Sequence, residues 1–357
     1  MNAEIKTGII FGGIIAAGLI CLVIIFTGLD ESVSLNPNSG IKKAPNLVGI
    51  EHYLNISSEA LTKKIENKVV LYDIWTYSCV NCIRTLPFIT SWNEKYGDQG
   101  LLIIGIHSPE FEFEKDPENV KIAIEKYGIS YPVVMDNNME TWKAFENNYW
   151  PRKYIADHEG NIRYDHIGEG SYQETEKIIQ QLLDERSKAL GIDMINKNEL
   201  VPIEEFEHTL FRTPELYFGY KFAQNRNQLG SEEGFQAERI VTYSQPNNIE
   251  LNKFYLIGNW KNNEDSMELT DSTGIIKVFF DAKEVNLVAE NNAKLEIYLD
   301  GVPLTSEYSG SDINSTNKMY VSTPGMYNIV SSETSISHIM EIKIEGKGFQ
   351  AFTFTFG

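Results

Sequence analysis

A short apolar strand that runs almost directly into a pair of cysteines constrains this chain more than anything else in it. Val69-Val70-Leu71-Tyr72-Asp73-Ile74-Trp75 is a nearly unbroken apolar run, the pattern of a strand buried on both faces. Cys79-Val80-Asn81-Cys82 follows after three residues. Ile83, Leu86, Ile89 and Trp92 then continue as a helical stripe that is expected to stop at Gly97. This order places both sulfurs at the start of a helix, where unpaired N–H groups and a partial positive charge favour a thiolate. Cys79 is therefore the expected nucleophile. Cys82, one turn along, is the expected resolving thiol that breaks a mixed disulfide.

The chain holds only three cysteines, and the third, Cys21, lies in an apolar run. A disulfide-stapled secreted fold needs more, at scattered positions. A structural zinc site needs a second cysteine pair or matching histidines. His52, His107, His158, His166, His208 and His338 offer no such spacing, so neither a metal nor any other cofactor beyond the dithiol is expected. Asp73 stands six residues before Cys79 inside the apolar strand. A carboxyl there is costly unless it is neutral or paired. Buried behind the dithiol, it is placed to take the proton of Cys82 during resolution.

The surrounding pattern alternates strands and helices. Leu101 to Ile106 reads as a second buried strand. Asp116-Pro117 opens a helix that Gly128 closes, and Pro132 to Met135 reads as a third strand. Lys153–Ala156 and Ile162–Asp165 flank a turn at Glu159-Gly160 and read as a hairpin. A last helix carries Ile178, Ile179, Leu182 and Leu183, with Ser171 and Glu174 expected as its capping box. The order β-α-β-α-β-β-α predicts an α/β domain, a central sheet covered by helices, over residues 44–192.

Outside that stretch the composition changes. Gly8 to Leu29 carries no charge and would span ~33 Å as a helix, enough for a bilayer core. A single transmembrane anchor is expected there, after a short tail of residues 1–7, and a polar tether over 30–43. The run is longer than a signal-peptide core, and Thr27-Gly28-Leu29-Asp30 is a poor cleavage site. Ile20 is too bulky for a lipidation site at Cys21, which reads as a buried, inert thiol. The dithiol chemistry suits an orientation with the C-terminal bulk outside the cytoplasm. Residues 193–213 are polar and acidic, the expected linker. Beyond them period-two patterns recur: Leu295, Ile297, Leu299; Met340, Ile342, Ile344; Phe352, Phe354, Phe356. With turns such as Asp300-Gly301 these predict an antiparallel β-sandwich over 214–357. With 50 acidic against 31 basic residues the net charge is -19, which excludes nucleic acid as a partner.

The stretch Trp75-Thr76-Tyr77-Ser78-Cys79-Val80-Asn81-Cys82-Ile83-Arg84-Thr85-Leu86-Pro87 resembles the active-site segment of the DipZ family, membrane thiol reductases with a TlpA-like thioredoxin domain. Asn148-Tyr149-Trp150-Pro151, Gly168-Glu169-Gly170 and His107-Ser108-Pro109-Glu110-Phe111 share the resemblance. So do Thr213 to Tyr220 and the closing Phe352 to Gly357. The resemblance implies a thioredoxin-like fold with Asp73 as its buried acid, Pro87 as the helix-kinking proline and Pro151 as a cis-proline against the dithiol. It also implies site-shaping roles for Trp75, Tyr77, Val80, Asn81 and Trp150, and an acidic residue, Glu110, near the site. The C-terminal part is implied to be a carbohydrate-binding-module-like jelly roll, a statement of fold and not of sugar binding. Exposed aromatics such as Tyr308 and Tyr320 are the candidates to stack on a glycan, though scattered tyrosines more often carry no such role. DipZ carries a multi-helix electron carrier ahead of its thioredoxin part; this chain has one apolar run. The expected electron donor is thus a separate membrane protein of the CcdA/DsbD kind, and the expected substrates are disulfide-containing proteins.

Two other functions compete. A peroxiredoxin-like, antioxidant thiol peroxidase needs a P-x-x-x-T-x-x-C motif; Thr76 fits, but Tyr72 stands in the proline's place. A cell-surface glycan-binding protein would need no dithiol. The uncharged Val80 and Asn81 do not drive the thiolate toward the strong oxidants, which points to reduction.

Overall fold

The computed structural model describes residues 42–192, 199–203, 213–223, 225–314 and 316–357. The expected anchor at 8–29, the tether up to residue 41 and most of the 193–213 linker lie outside them. Among the described residues no helix is long and apolar enough to cross a membrane.

The N-terminal part is built from β1 (His52–Leu54), α1 (Ser58–Ile65), β2 (Val69–Trp75), α2 (Val80–Tyr96), β3 (Leu101–His107), α3 (Pro117–Lys126), β4 (Val133–Met135), α4 (Glu140–Ala144), β5 (Arg152–Ala156), β6 (Ile162–Ile167) and α5 (Tyr172–Leu190). Its six-stranded sheet has the order β1-β4-β3-β2-β5-β6. β2, β3 and β4 run parallel, while β1, β5 and β6 are antiparallel to their neighbours. β2 lies in the middle and all seven of its residues are buried, as its apolar run demands. Gly105 on β3 faces Asp73 across the sheet. A Cβ there would lie 3.0 Å from Trp75 Nε1 and 3.2 Å from Tyr131, so only glycine fits without a shift.

The order contains the expected β-α-β-α-β-β-α core together with β1, α1 and α4, which are short. Two expected helix ends are corrected. Gly97 is right-handed (φ -55) and leads into a 3₁₀ turn; the left-handed stop is Gly100 (φ 112). Ser171 forms no capping box. It sits at φ 48 with no side-chain cap bond, and its carbonyl instead accepts the Thr175 N–H and hydroxyl.

The C-terminal part holds β7 (Leu216–Tyr217), α6 (Tyr220–Ala223), β8 (Ile240–Tyr243), β9 (Lys253–Asn262), β10 (Met267–Leu269), β11 (Thr273–Glu290), β12 (Ala293–Leu299), β13 (Val302–Pro303), β14 (Lys318–Val321), β15 (Gly325–Glu345) and β16 (Gln350–Phe356). Its strand pairs are all antiparallel. Hydrogen bonding links ten strands into one sheet, because β11 and β15 are 18 and 21 residues long. A register shift at Ala282/Glu284 lets such strands bend. Leu295, Ile297, Leu299, Met340, Ile342 and Ile344 all enter its core, as their period of two requires. Asp300 and Gly301 both take positive φ in the β12–β13 hairpin, the signature of a type I′ turn.

Phe352 departs from the expected alternation. β16 pairs Thr353 with Val288 but Ala351 with Ala289, which leaves Phe352 as the extra residue of a bulge. Phe354 and Phe356 remain in the sheet's core. Phe352 packs instead at 5.2 Å from Phe111 and 4.7 Å from Phe113 of the N-terminal part. The two sheets belong to one compact unit. Arg84, on α2, adds a contact of 2.7 Å to Glu284 of β11.

Candidate active site

Cys79 is the N-cap of α2, and the Cys82 N–H donates to its sulfur at 3.3 Å. Both cysteines are free thiols; Cys79 is half-buried and Cys82 buried. This asymmetry separates their roles, since only Cys79 reaches solvent. Burial, then the hydrogen bond and charge of Cys79, push the Cys82 thiol well up, and the charge of Asp73 adds to this. Cys82 thus keeps its proton until a nearby base removes it.

Asp73 has the burial and the unpartnered oxygen that such a base needs. It is 1% exposed, and burial raises its carboxyl to about 6. Its Oδ1 has no hydrogen-bond partner among the described residues, so it is open to a proton. Across the sheet from Asp73 stands Lys153, fully buried and lowered by that burial to about 8, with Asp73 opposing the shift. Its ammonium donates to the Gly168 carbonyl at 3.0 Å and lies 5.6 Å over the Tyr172 ring. Gly168 and Gly170 are left-handed (φ 82 and 89), the freedom that lets this turn offer its carbonyl inward.

The loop before Cys79 is held by Glu114, which is fully buried in a short 3₁₀ turn. Its Oε1 accepts from Thr76 Oγ1 at 2.5 Å, Ser78 Oγ at 2.6 Å and Ser78 N at 3.3 Å. Its Oε2 accepts from Glu110 N at 2.7 Å and Phe111 N at 3.0 Å. Burial raises its carboxyl while the hydrogen bonds from the Ser78 and Thr76 hydroxyls and from the Phe111 and Glu110 N–H groups oppose the rise. His107 Nε2 lies 3.3 Å from Thr76 Oγ1, and burial drops this imidazole to about 3, so it stays neutral.

A cavity of about 330 Å³ opens at Cys79. Ser78, Val80, Asn81, Glu110, Asn148, Tyr149 and Trp150 line it from the N-terminal part; Glu215, Tyr217, Thr353, Thr355 and Phe356 line it from the C-terminal part. Of the expected site residues, Cys79, Val80, Asn81, Trp150 and Glu110 meet there, and Cys82 and Asp73 lie buried behind it. The Trp150–Pro151 peptide is cis, with Pro151 buried next to the lining residues. Trp75 and Tyr77, expected to shape the site, lie behind the cavity and not in its lining. They are 0% and 4% exposed and pack on His107, Trp75 edge-on at 5.5 Å and Tyr77 stacked at 5.6 Å. Tyr308 packs at 5.9 Å on His338, while Tyr320 is 59% exposed. Lys153, Glu114, Glu215 and Tyr217 were not anticipated from the sequence.

Residues 42–183 match the Redoxin family, and residues 213–357 match the family described as thioredoxin like C-terminal domain. Over 143 residues the chain is 31% identical to the thiol-disulfide oxidoreductase YkuV of Bacillus subtilis, covering 94% of that protein and 40% of this chain. The chain belongs to the thioredoxin-like thiol–disulfide oxidoreductases. Over 319 residues, 88% of the chain, it is 33% identical to Protein DipZ of Mycobacterium bovis, and it spans 43% of that protein's length. It is also 25% identical over 123 residues to the thiol-disulfide oxidoreductase ResA of Halalkalibacterium halodurans, covering 34% of this chain and 67% of ResA. A half-buried sulfur at a helix start, a buried second sulfur and an interior carboxyl are the groups that thiol–disulfide exchange in this family requires.

Proposed function

We propose that the protein is a membrane-anchored reductase of protein disulfides on the extracytoplasmic side. Residues 8–29 are its anchor, and a separate membrane protein of the CcdA/DsbD kind re-reduces it. The observation that carries the proposal is the unequal exposure of the two sulfurs, Cys79 open to the cavity and Cys82 buried beneath it. The Cys79 thiolate attacks one sulfur of a substrate disulfide and the other sulfur leaves. Asp73 takes the proton of Cys82, whose thiolate then attacks Cys79 and releases the second substrate thiol. Two electrons pass from the dithiol to the substrate, and no further cofactor is required.

The Thr76 hydroxyl, which a peroxidase would turn toward its cysteine, is bound by Glu114; this supports disulfide exchange over peroxide reduction. Reduction is the proposed direction because no charge separates the cysteines, and the potential is expected near the thioredoxin end, about -270 mV. A glycan ligand for the C-terminal sheet has Tyr320 as its exposed aromatic and is secondary to this proposal.

Trapping tests it. Cys82→Ser in cells is expected to accumulate mixed disulfides between Cys79 and exported proteins, identifiable by mass spectrometry, and Cys79→Ser to accumulate none. A potential near that of the strong periplasmic oxidants, about -120 mV, would overturn the direction.

A further inference from the structure

Three groups at the mouth of the Cys79 cavity take no part in the steps above. Glu110 comes from the loop after β3, whereas Glu215 and Tyr217 come from the C-terminal part, at the start of its sheet. The Tyr217 hydroxyl lies 2.8 Å from Glu110 Oε1 and 2.8 Å from Glu215 Oε2. A phenol carries one proton and donates it once. Both contacts at that length are satisfied when one of the two carboxyls carries a proton and donates it to the phenol oxygen. Loss of solvent, followed by the charges of Glu215 and Glu114, pushes Glu110 well above the usual carboxylate range. Burial also raises Glu215, against the pull of Arg226, and raises the phenol, which keeps its own proton.

The charged groups facing this pair are Glu114 from the adjacent turn and the Arg226 guanidinium, 4.7 Å over the Tyr217 ring; Cys79 shares the cavity. The arrangement is rigidly built. Tyr217 N donates to Gln228 Oε1 at 3.0 Å, Gln228 Nε2 donates to the Glu215 carbonyl at 2.6 Å, and Phe222 packs on the ring at 5.2 Å.

We propose that Glu110 and Glu215, bridged by Tyr217, hold a shared proton and deliver it to the thiolate that leaves the substrate disulfide. The C-terminal part is then a contributor to the active site, with Tyr217 as its positioning residue. The proposal rests on the reductase function above. Cys79 forms a bond to one substrate sulfur, the substrate S–S bond breaks, and its electron pair departs on the second sulfur. That sulfur takes the proton of the carboxyl pair, which is left fully ionised and regains a proton from water. Cys82, having given its proton to Asp73, closes the Cys79–Cys82 bond. The first substrate sulfur leaves as a thiolate and is protonated from water.

An acid helps only a leaving group that needs one. An alkyl thiol has a pKa of about 8.5 and benefits; a nitroaromatic thiolate departs unaided. The test compares pre-reduced full-length wild type, Glu110→Gln/Glu215→Gln and Tyr217→Phe in stopped flow against glutathione disulfide and 5,5′-dithiobis(2-nitrobenzoate). The double variant is expected to lose about 100-fold with glutathione disulfide and to stay within about twofold of wild type with the aromatic disulfide. Tyr217→Phe, which keeps the ring packing, is expected to fall between them with glutathione disulfide. Wild-type rates with glutathione disulfide are expected to fall as the pair loses its proton at high pH, while the aromatic rates do not. Equal losses with both disulfides place the effect on Cys79 or on folding, and an absence of loss removes any role; either overturns the proposal. A wild type inert toward both disulfides overturns the reductase function itself, and the proposal with it.

Discussion

Asp73 and Lys153 face one another across the middle of the sheet, each in a place its charge disfavours. For Asp73 the sign of the pH effect is fixed by its raised pKa of about 6. The protonated carboxyl is the form the fold prefers, so its contribution is complete below the unfolded value and is lost as pH rises through about 6. Asp73→Asn removes that slope. The variant is expected to gain stability over wild type by roughly 2–3 kcal/mol between pH 4 and pH 8, read from urea melts at the two pH values. It is also expected to slow release of the mixed disulfide, because Cys82 loses its base. A melt difference that does not grow with pH would remove Asp73 from this role. Lys153→Met takes away the cation that opposes the rise at Asp73, so the pH profile of resolution is expected to move upward. Asp73 was legible because a carboxyl interrupts an unbroken apolar run. Lys153 was not, since a lysine beside Arg152 at the start of a hairpin strand reads as solvent-facing. Only the pairing of β5 with β2 places it inside.

At the scale of elements, the turn carrying Glu114 does more than its length suggests. One carboxylate gathers five donors from two loops and so fixes the segment Thr76–Ser78 that leads to the nucleophile. Glu114→Ala leaves these donors without a partner, and a loss of roughly 3 kcal/mol or more is expected in thermal or denaturant unfolding. Glu114→Gln keeps the shape but not the charge and is expected to lose less. The sequence Glu112-Phe113-Glu114-Lys115 looks like an exposed acidic turn; Glu112 is exposed, but Phe113 packs on Phe352 and Glu114 beside it is buried. The long elements were legible from periodicity: β2, β3, α2, α3 and the inward face of α5 follow their apolar patterns. β1, α1 and α4 were too short for that signal. The bulge at Phe352 left no mark in a strand whose phenylalanines alternate without a break.

Across the whole molecule, the two parts meet through Phe111, Phe113 and Phe352, and through Arg84 on Glu284. Arg84 lies two residues beyond Cys82, so this contact ties the active-site helix to the second sheet. A double-mutant cycle of Arg84→Met and Glu284→Gln is expected to give a coupling of about 1–2 kcal/mol in unfolding; a value near zero would show that the helix is not held from that side. The second sheet also lends Glu215, Tyr217, Thr353, Thr355 and Phe356 to the cavity at Cys79. Cys79 therefore opens into a recess of about 330 Å³ that both parts of the chain wall. If the protein acts on protein disulfides as proposed, reach comes before affinity. A disulfide on an extended chain is expected to react at Cys79 faster than the same disulfide set flush in a folded domain, which reduction rates of one client in its unfolded and folded forms would check.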